Sequence, residues 1–152
     1  MYKLVVINIF FLLFSFNSSI ASESPLKNVF FDAVEKNLSN LEILDSNMSV
    51  LFIKWFENSV KVNGIDGKLL FNILSYNENI SNIDDGKRLD IQLKISIKIL
   101  KNNDNFQKKE YLYEINEFGK IQGNFSLNEF DELKDNIRKN VILRLSKKIQ
   151  QN

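Results

Sequence analysis

A chain of 152 residues with 20 Lys plus Arg against 19 Asp plus Glu has length for one hydrophobic core and not for two. Its 44% hydrophobic and 12% aromatic content excludes a disordered chain, because the apolar surface suffices to offset chain entropy. The absence of Cys and His excludes disulfides, thiolate zinc sites, cysteine nucleophiles and the usual general base.

The N-terminus carries a signal-peptide pattern. Lys3 supplies a positive start, and Leu4 to Phe16 form an apolar run broken only by Asn8 and Ser15. A helix over that run rises about 20 Å, short of the roughly 30 Å hydrocarbon core. Ser19-Ile20-Ala21 places small residues at the cleavage positions, so residues 1–21 are expected to be a leader cut after Ala21. The competing reading is a retained anchor extended through Ile20. Cleavage leaves residues 22–152 as one domain with balanced side-chain charge, since the leader holds Lys3 and no acid. A balanced, charge-interspersed surface lacks the basic footprint of a nucleic-acid binder. An exported domain without Cys suits a bacterial periplasm.

Ser24-Pro25 ahead of Val29, Phe30, Ala33, Val34 and Leu38 reads as a helix start and stripe, with a first strand over 28–35 as the rival; the stripe leans to helix. Over 49–62, Leu51, Trp55 and Val62 recur at helical spacing beside Phe52, Phe56 and Ser59, which predicts a helix ending near a Gly64 cap. The period then changes to two. Strands are expected over 68–76, 88–100 and 108–117, with turns at Asp84-Asp85-Gly86 and at Asn102 to Asn105. In the middle one, Leu89, Ile91, Leu93, Ile95, Ile97 and Ile99 alternate strictly with polar residues, the mark of a strand with one dry face. Tyr111, Tyr113 and Ile115 share one face of the third strand. After a connection around Gly119 and Gly123, Ser126-Leu127-Asn128-Glu129 forms a capping box. The long helix behind it carries Phe130, Leu133, Ile137, Val141, Leu145 and Ile149 on one stripe, with acids early and bases late. The predicted fold is α+β: a two-layer sandwich with an antiparallel meander of three or four strands packed against two or three helices.

The chemistry left to such a chain is carboxylates, a Ser-Lys pair or an oxygen-ligand metal site. Asp84-Asp85 reads as a solvated turn and Asp131-Glu132 as complements of the helix dipole, so neither catalysis, a metal nor a cofactor is expected. Phe52, Trp55 and Phe56 give one helix more aromatic surface than a narrow stripe needs, and Tyr111 and Tyr113 do the same on a strand. Core packing is the plain account of all five. The alternative is a partner or pocket surface.

Gly86-Lys87-Arg88-Leu89-Asp90-Ile91-Gln92-Leu93-Lys94-Ile95, Tyr111-Leu112-Tyr113-Glu114-Ile115 and Phe125-Ser126-Leu127-Asn128-Glu129-Phe130 resemble the alphaproteobacterial branch of the lipopolysaccharide-assembly lipoprotein (LptE) family over roughly residues 50–150. The chain is also similar to small exported alphaproteobacterial proteins of unknown function, in which a helix like Ile53-Lys54-Trp55-Phe56 precedes the same meander. The first resemblance implies a domain that plugs and helps assemble an outer-membrane β-barrel. It also implies a lipid-modified N-terminal Cys, which this chain lacks. The expected role is therefore a non-enzymatic periplasmic or envelope interaction module with an envelope protein or lipid partner and peripheral membrane association at most. The alternative is a small-ligand or lipid-binding domain with an apolar pocket between sheet and helices.

Overall fold

The computed structural model describes residues 27–101 and 109–151. The leader, its cleavage site, Ser24-Pro25 and the turn at Asn102 to Asn105 lie outside the described residues. In chain order the elements are β1 (Val29–Phe31), β2 (Glu35–Ser39), a 3₁₀ turn (Leu41–Ile43), α1 (Ser46–Ser59), β3 (Val60–Val62), β4 (Lys68–Ile83), β5 (Gly86–Leu100), β6 (Lys109–Gln122) and α2 (Leu127–Gln150). The architecture is α+β. A mixed sheet in the order β2-β4-β5-β6 packs one face against α1 and α2, and β1 pairs with β3 in a separate parallel ribbon.

The alternation in β5 is cashed out as burial. Leu89, Leu93 and Ile97 are fully buried, as are Ile91 and Ile95 to within 1%. Across from them, β4 contributes Leu69, Phe71 and Ile73, and β6 contributes Tyr113 and Ile115. One even position departs from the expected wet face: Ser96 is 1% exposed and its hydroxyl has no hydrogen-bond partner among the described residues. It is short and sits mid-sheet between Lys94 and Lys98, opposite Asn72 and Leu112, so longer neighbours overtop it.

The meander is antiparallel as expected, but its strands are longer and the sheet is mixed. β2 joins the outer side of β4 in parallel, with Leu38 beside Phe71. Residues 29–39 thus form two short strands where the stripe leaned to helix. Each is held by a partner distant in sequence, Val29 by Val60 and Leu38 by Phe71. α1 likewise ends at Ser59, before the expected Gly64 cap. Its last carbonyls are taken by the Lys36 ammonium of β2, 2.8 Å from Phe56 O and 3.0 Å from Val60 O, which stops the helix and releases Val60–Val62 to pair with β1. Gly64 serves a different purpose: a Cβ there would strike the backbone of Asp32 and Ala33.

Gly119 also departs from the sequence reading, lying inside β6 and not in a connection. A side chain at this position would collide with Ile137 and Leu133 of α2, so its bareness lets the helix lie close on the strand. The capping box is complete: Glu129 N–H donates to Ser126 Oγ, and Ser126 N–H donates to Glu129 Oε2 at 2.6 Å. Those bonds hold the Glu129 carboxyl below its ordinary range. Ser126→Ala removes the cap while leaving the buried stripe intact, so a urea titration should show a loss of about 1 kcal/mol with unchanged slope.

Candidate functional site

The five aromatic residues singled out as a partner or pocket surface are placed mainly in the core. Phe52 is fully buried, Trp55 and Phe56 are each 3% exposed, and Tyr113 is 7% exposed. Phe71 of β4 gathers them: its ring lies edge-on to Phe56 at 5.2 Å, Trp55 at 6.0 Å and Phe31 at 5.7 Å. The aromatic surplus of α1 is therefore consumed against the sheet, because Phe71 and its neighbours present a wide apolar floor. Tyr111, half-buried, stacks on Tyr113 at 6.5 Å near the start of β6.

Two other places hold the features that a site would need. The first is a cleft of about 400 Å³ at the start of α1, lined by Asp45, Ser46, Asn47, Tyr76, Glu78, Ile80 and Arg138. Its centre is the Arg138 guanidinium, whose side chain is 7% exposed and which lies on the buried flank of α2. Arg138 Nη2 donates to both Glu78 oxygens at 2.9 Å, Nε reaches Glu78 Oε2 at 3.1 Å, and Nη2 reaches Asp45 Oδ2 at 3.3 Å. Tyr76 OH donates to Glu78 Oε2 at 2.6 Å and lies 3.1 Å from Asp45 Oδ2. Asp45 works twice, since its other oxygen accepts from Met48 N–H and caps α1.

The electrostatics of this cluster are those of a closed lock. Burial alone would raise the Asp45 carboxyl, but the Met48 N–H, the Arg138 charge and the Tyr76 hydroxyl together hold it below its ordinary range. Burial and the Glu78 carboxylate push the Tyr76 hydroxyl up. Burial would lower the Arg138 guanidinium, and the Tyr76 hydroxyl with the Glu78 and Asp45 carboxylates outweighs it, so the cation is secured. Every acid in the lock is engaged by a cation or a hydroxyl, an arrangement that fixes α1, β4 and α2 to one another. Among the described residues, no group of three or more Asp or Glu converges as metal ligands would.

None of Asp45, Tyr76, Glu78 and Arg138 was singled out from the sequence. The available signal was Arg138 itself, one residue past Ile137 and three before Val141 on the apolar stripe of α2, where a charge demands a partner.

The second place is the outer face of the sheet, on the side away from both helices. It carries a ladder of cross-strand and along-strand pairs: Arg88 to Asp90 at 2.6 Å, Lys94 to Glu114 at 3.2 Å and Lys98 to Glu110 at 3.1 Å. Hydrogen bonds from Arg88 hold the Asp90 carboxyl below its ordinary range, and those from Lys94 do the same to Glu114. Among these charges stand exposed apolar side chains, Leu112 at 70%, Phe118 at 59% and Leu74 at 46%. The Arg88 guanidinium lies 4.6 Å over the Phe118 ring. Leu74 continues the outward row of even positions, and a register shift between Ile73 and Ser75 leaves it unpaired and reverses the phase of β4 beyond it. No helix of the described residues is long and apolar enough to cross a membrane.

No protein-family profile and no curated protein matches this chain. Among solved structures, it is similar to a minor lipoprotein from Acinetobacter baumannii at 13% identity and a TM-score of 0.47, covering 81% of this chain and 90% of that one. It is similar also to the rare lipoprotein B from Shewanella oneidensis at 11% identity and a TM-score of 0.47, covering 78% of this chain and 92% of that one. Likeness at this level assigns no residue a role.

Proposed function

We propose that this chain is an exported, non-enzymatic interaction or assembly module of the bacterial cell envelope, akin in role to the lipopolysaccharide-assembly lipoproteins whose sequence pattern it resembles. The observation that carries the reading is the outer sheet face. A sheet buried on one side and bearing Leu74, Leu112 and Phe118 in the open on the other offers a platform for a partner surface. The leader pattern supports export, and the engaged state of Asp45 and Glu78 supports a structural use of the cluster over proton transfer. An apolar ligand pocket between sheet and helices is less well supported, because that space is filled by Phe52, Phe71, Met48, Leu69 and Leu145 and the open cleft is polar.

The test is photo-crosslinking in the native host from a reactive residue placed at Leu74, with exposed Lys139 on α2 as the control position. A specific adduct with an envelope component from position 74, absent from position 139, is expected. Equal or no adducts from the two positions would overturn the reading.

A further inference from the structure

β6 forms one border of the sheet, and among the described residues no strand pairs with its outer side. Its backbone polarity can be read from two bonds. Gly123 N–H donates to Asp85 O at 3.0 Å, which continues the β5–β6 ladder through odd positions of β6, and the Lys148 ammonium takes Glu114 O at 2.8 Å from outside the ladder. Even positions from Glu110 to Lys120 therefore turn their N–H and C=O groups to the free border. The same even positions place their side chains on the outer face, where they read Glu110, Leu112, Glu114, Asn116, Phe118, Lys120.

That row is complementary to itself when reversed. Antiparallel pairing centred on Ile115 sets Glu110 against Lys120, Leu112 against Phe118 and Glu114 against Asn116, each pair twice. Acid meets base, the two most exposed apolar side chains of the strand meet each other, and a carboxylate meets an amide. Shifting the centre to Asn116 sets Leu112 against Lys120 and Glu114 against Phe118. Shifting it to Glu114 sets that carboxylate against its own copy. The central Ile115 register alone satisfies both the face alternation and the pair chemistry.

We infer that β6 pairs antiparallel with β6 of a second copy of this chain about a two-fold axis at Ile115, joining two four-stranded sheets into one. The occupant follows from the palindromic pattern, since a strand of an unrelated protein needs no such symmetry in its receiver. The two-fold runs perpendicular to the sheet, so both copies keep their helices on one side and both outer faces on the other. In the single chain, Lys148 blunts the border by occupying Glu114 O; on pairing, Asn116 N–H of the second copy replaces it at that acceptor. The inference shares Leu112 and Phe118 with the envelope reading, but the two fail separately, because the crosslinking position Leu74 lies on β4, two strands from this border.

The experiment is sedimentation velocity with light scattering on the processed protein recovered from an expressing bacterium, up to roughly 100 μM, well above a micromolar dissociation constant. A species of about twice the single-chain mass is expected. Glu110→Lys and Lys120→Glu each place like charges together twice and should weaken association at least about tenfold, whereas the double exchange should restore it. Asn116→Pro removes an N–H that the chain's own ladder does not use and should give a monomer that keeps its cooperative melt. A monomer throughout the concentration range would overturn the inference. So would a dimer indifferent to either single reversal, or a double exchange as weak as the singles.

Discussion

Ile95→Asp should abolish the cooperative fold, or lower its stability by at least about 4 kcal/mol, while Lys94→Asp one residue away should cost about 1 kcal/mol or less. Ile95 is 1% exposed and sits between Ile73 of β4 and Tyr113 of β6, beneath the helices. A carboxylate there loses its hydration, and the buried guanidinium of that layer, Arg138, is already committed to Glu78 and Asp45. Lys94 stands on the outer face, where its substitution exchanges one partly exposed pair with Glu114 for a like-charge contact screened by water. Denaturant midpoints of the two variants check the assignment of faces, and similar midpoints would reject it.

Arg138→Met should cost about 3 kcal/mol at neutral pH, since it keeps the packing of the stem but leaves Glu78 and Asp45 without their cation. The penalty should depend on pH in a defined direction. Asp45 is held below its ordinary value in the fold, so its contribution is complete above the unfolded value of 3.8 and is lost as pH falls through the lower folded value. Arg138 supplies part of that depression. The gap between wild type and variant should therefore be widest near pH 7 and narrow on acidification below about pH 4, as protonation relieves the Asp45 carboxylate. Adding Glu78→Leu to Arg138→Met should recover much of the loss at pH 7, because removing both charges is cheaper than stranding one. Thermal melts of the three proteins at both pH values decide the matter. A pH-independent deficit would make Arg138 a packing residue only.

These two expectations differ in how visible their residues were before folding. The Leu89 to Ile99 alternation was legible because burial of one strand face is written at every second position, whatever lies across it. α2 was equally plain, with its cap, stripe and charge order all local to one segment. Residues 29–39 were not, because strands of three and five residues in parallel pairing owe their state to Val60–Val62 and Lys68–Asn72, and neither partner leaves a mark on the local pattern. The far half of β4 was missed for another reason. The bulge after Ile73 moves the helix-side set from odd to even positions, so Tyr76, Glu78 and the exposed Ile80 take that side, the last two from a stretch whose Asn and Ser composition reads as loop. Hence the lock was invisible: Glu78 lay on an unrecognised strand, and Arg138 bonds it across 60 positions of chain.

The single Trp of this chain is Trp55, and its indole N–H donates to Ser146 Oγ of α2 at 2.8 Å, a buried bond spanning 91 positions. The protein thereby contains its own optical gauge. Indole emission shifts to longer wavelength when water reaches the ring, and this ring, packed against Phe71 of the sheet and bonded to Ser146 of α2, is wetted when either helix lifts away. With no second Trp to blur the signal, steady-state fluorescence follows the packing of the two helices on the sheet, while far-ultraviolet dichroism follows the backbone as a whole. Where the two transitions separate during refolding, the interval between them is the time the helices take to settle on a sheet already formed.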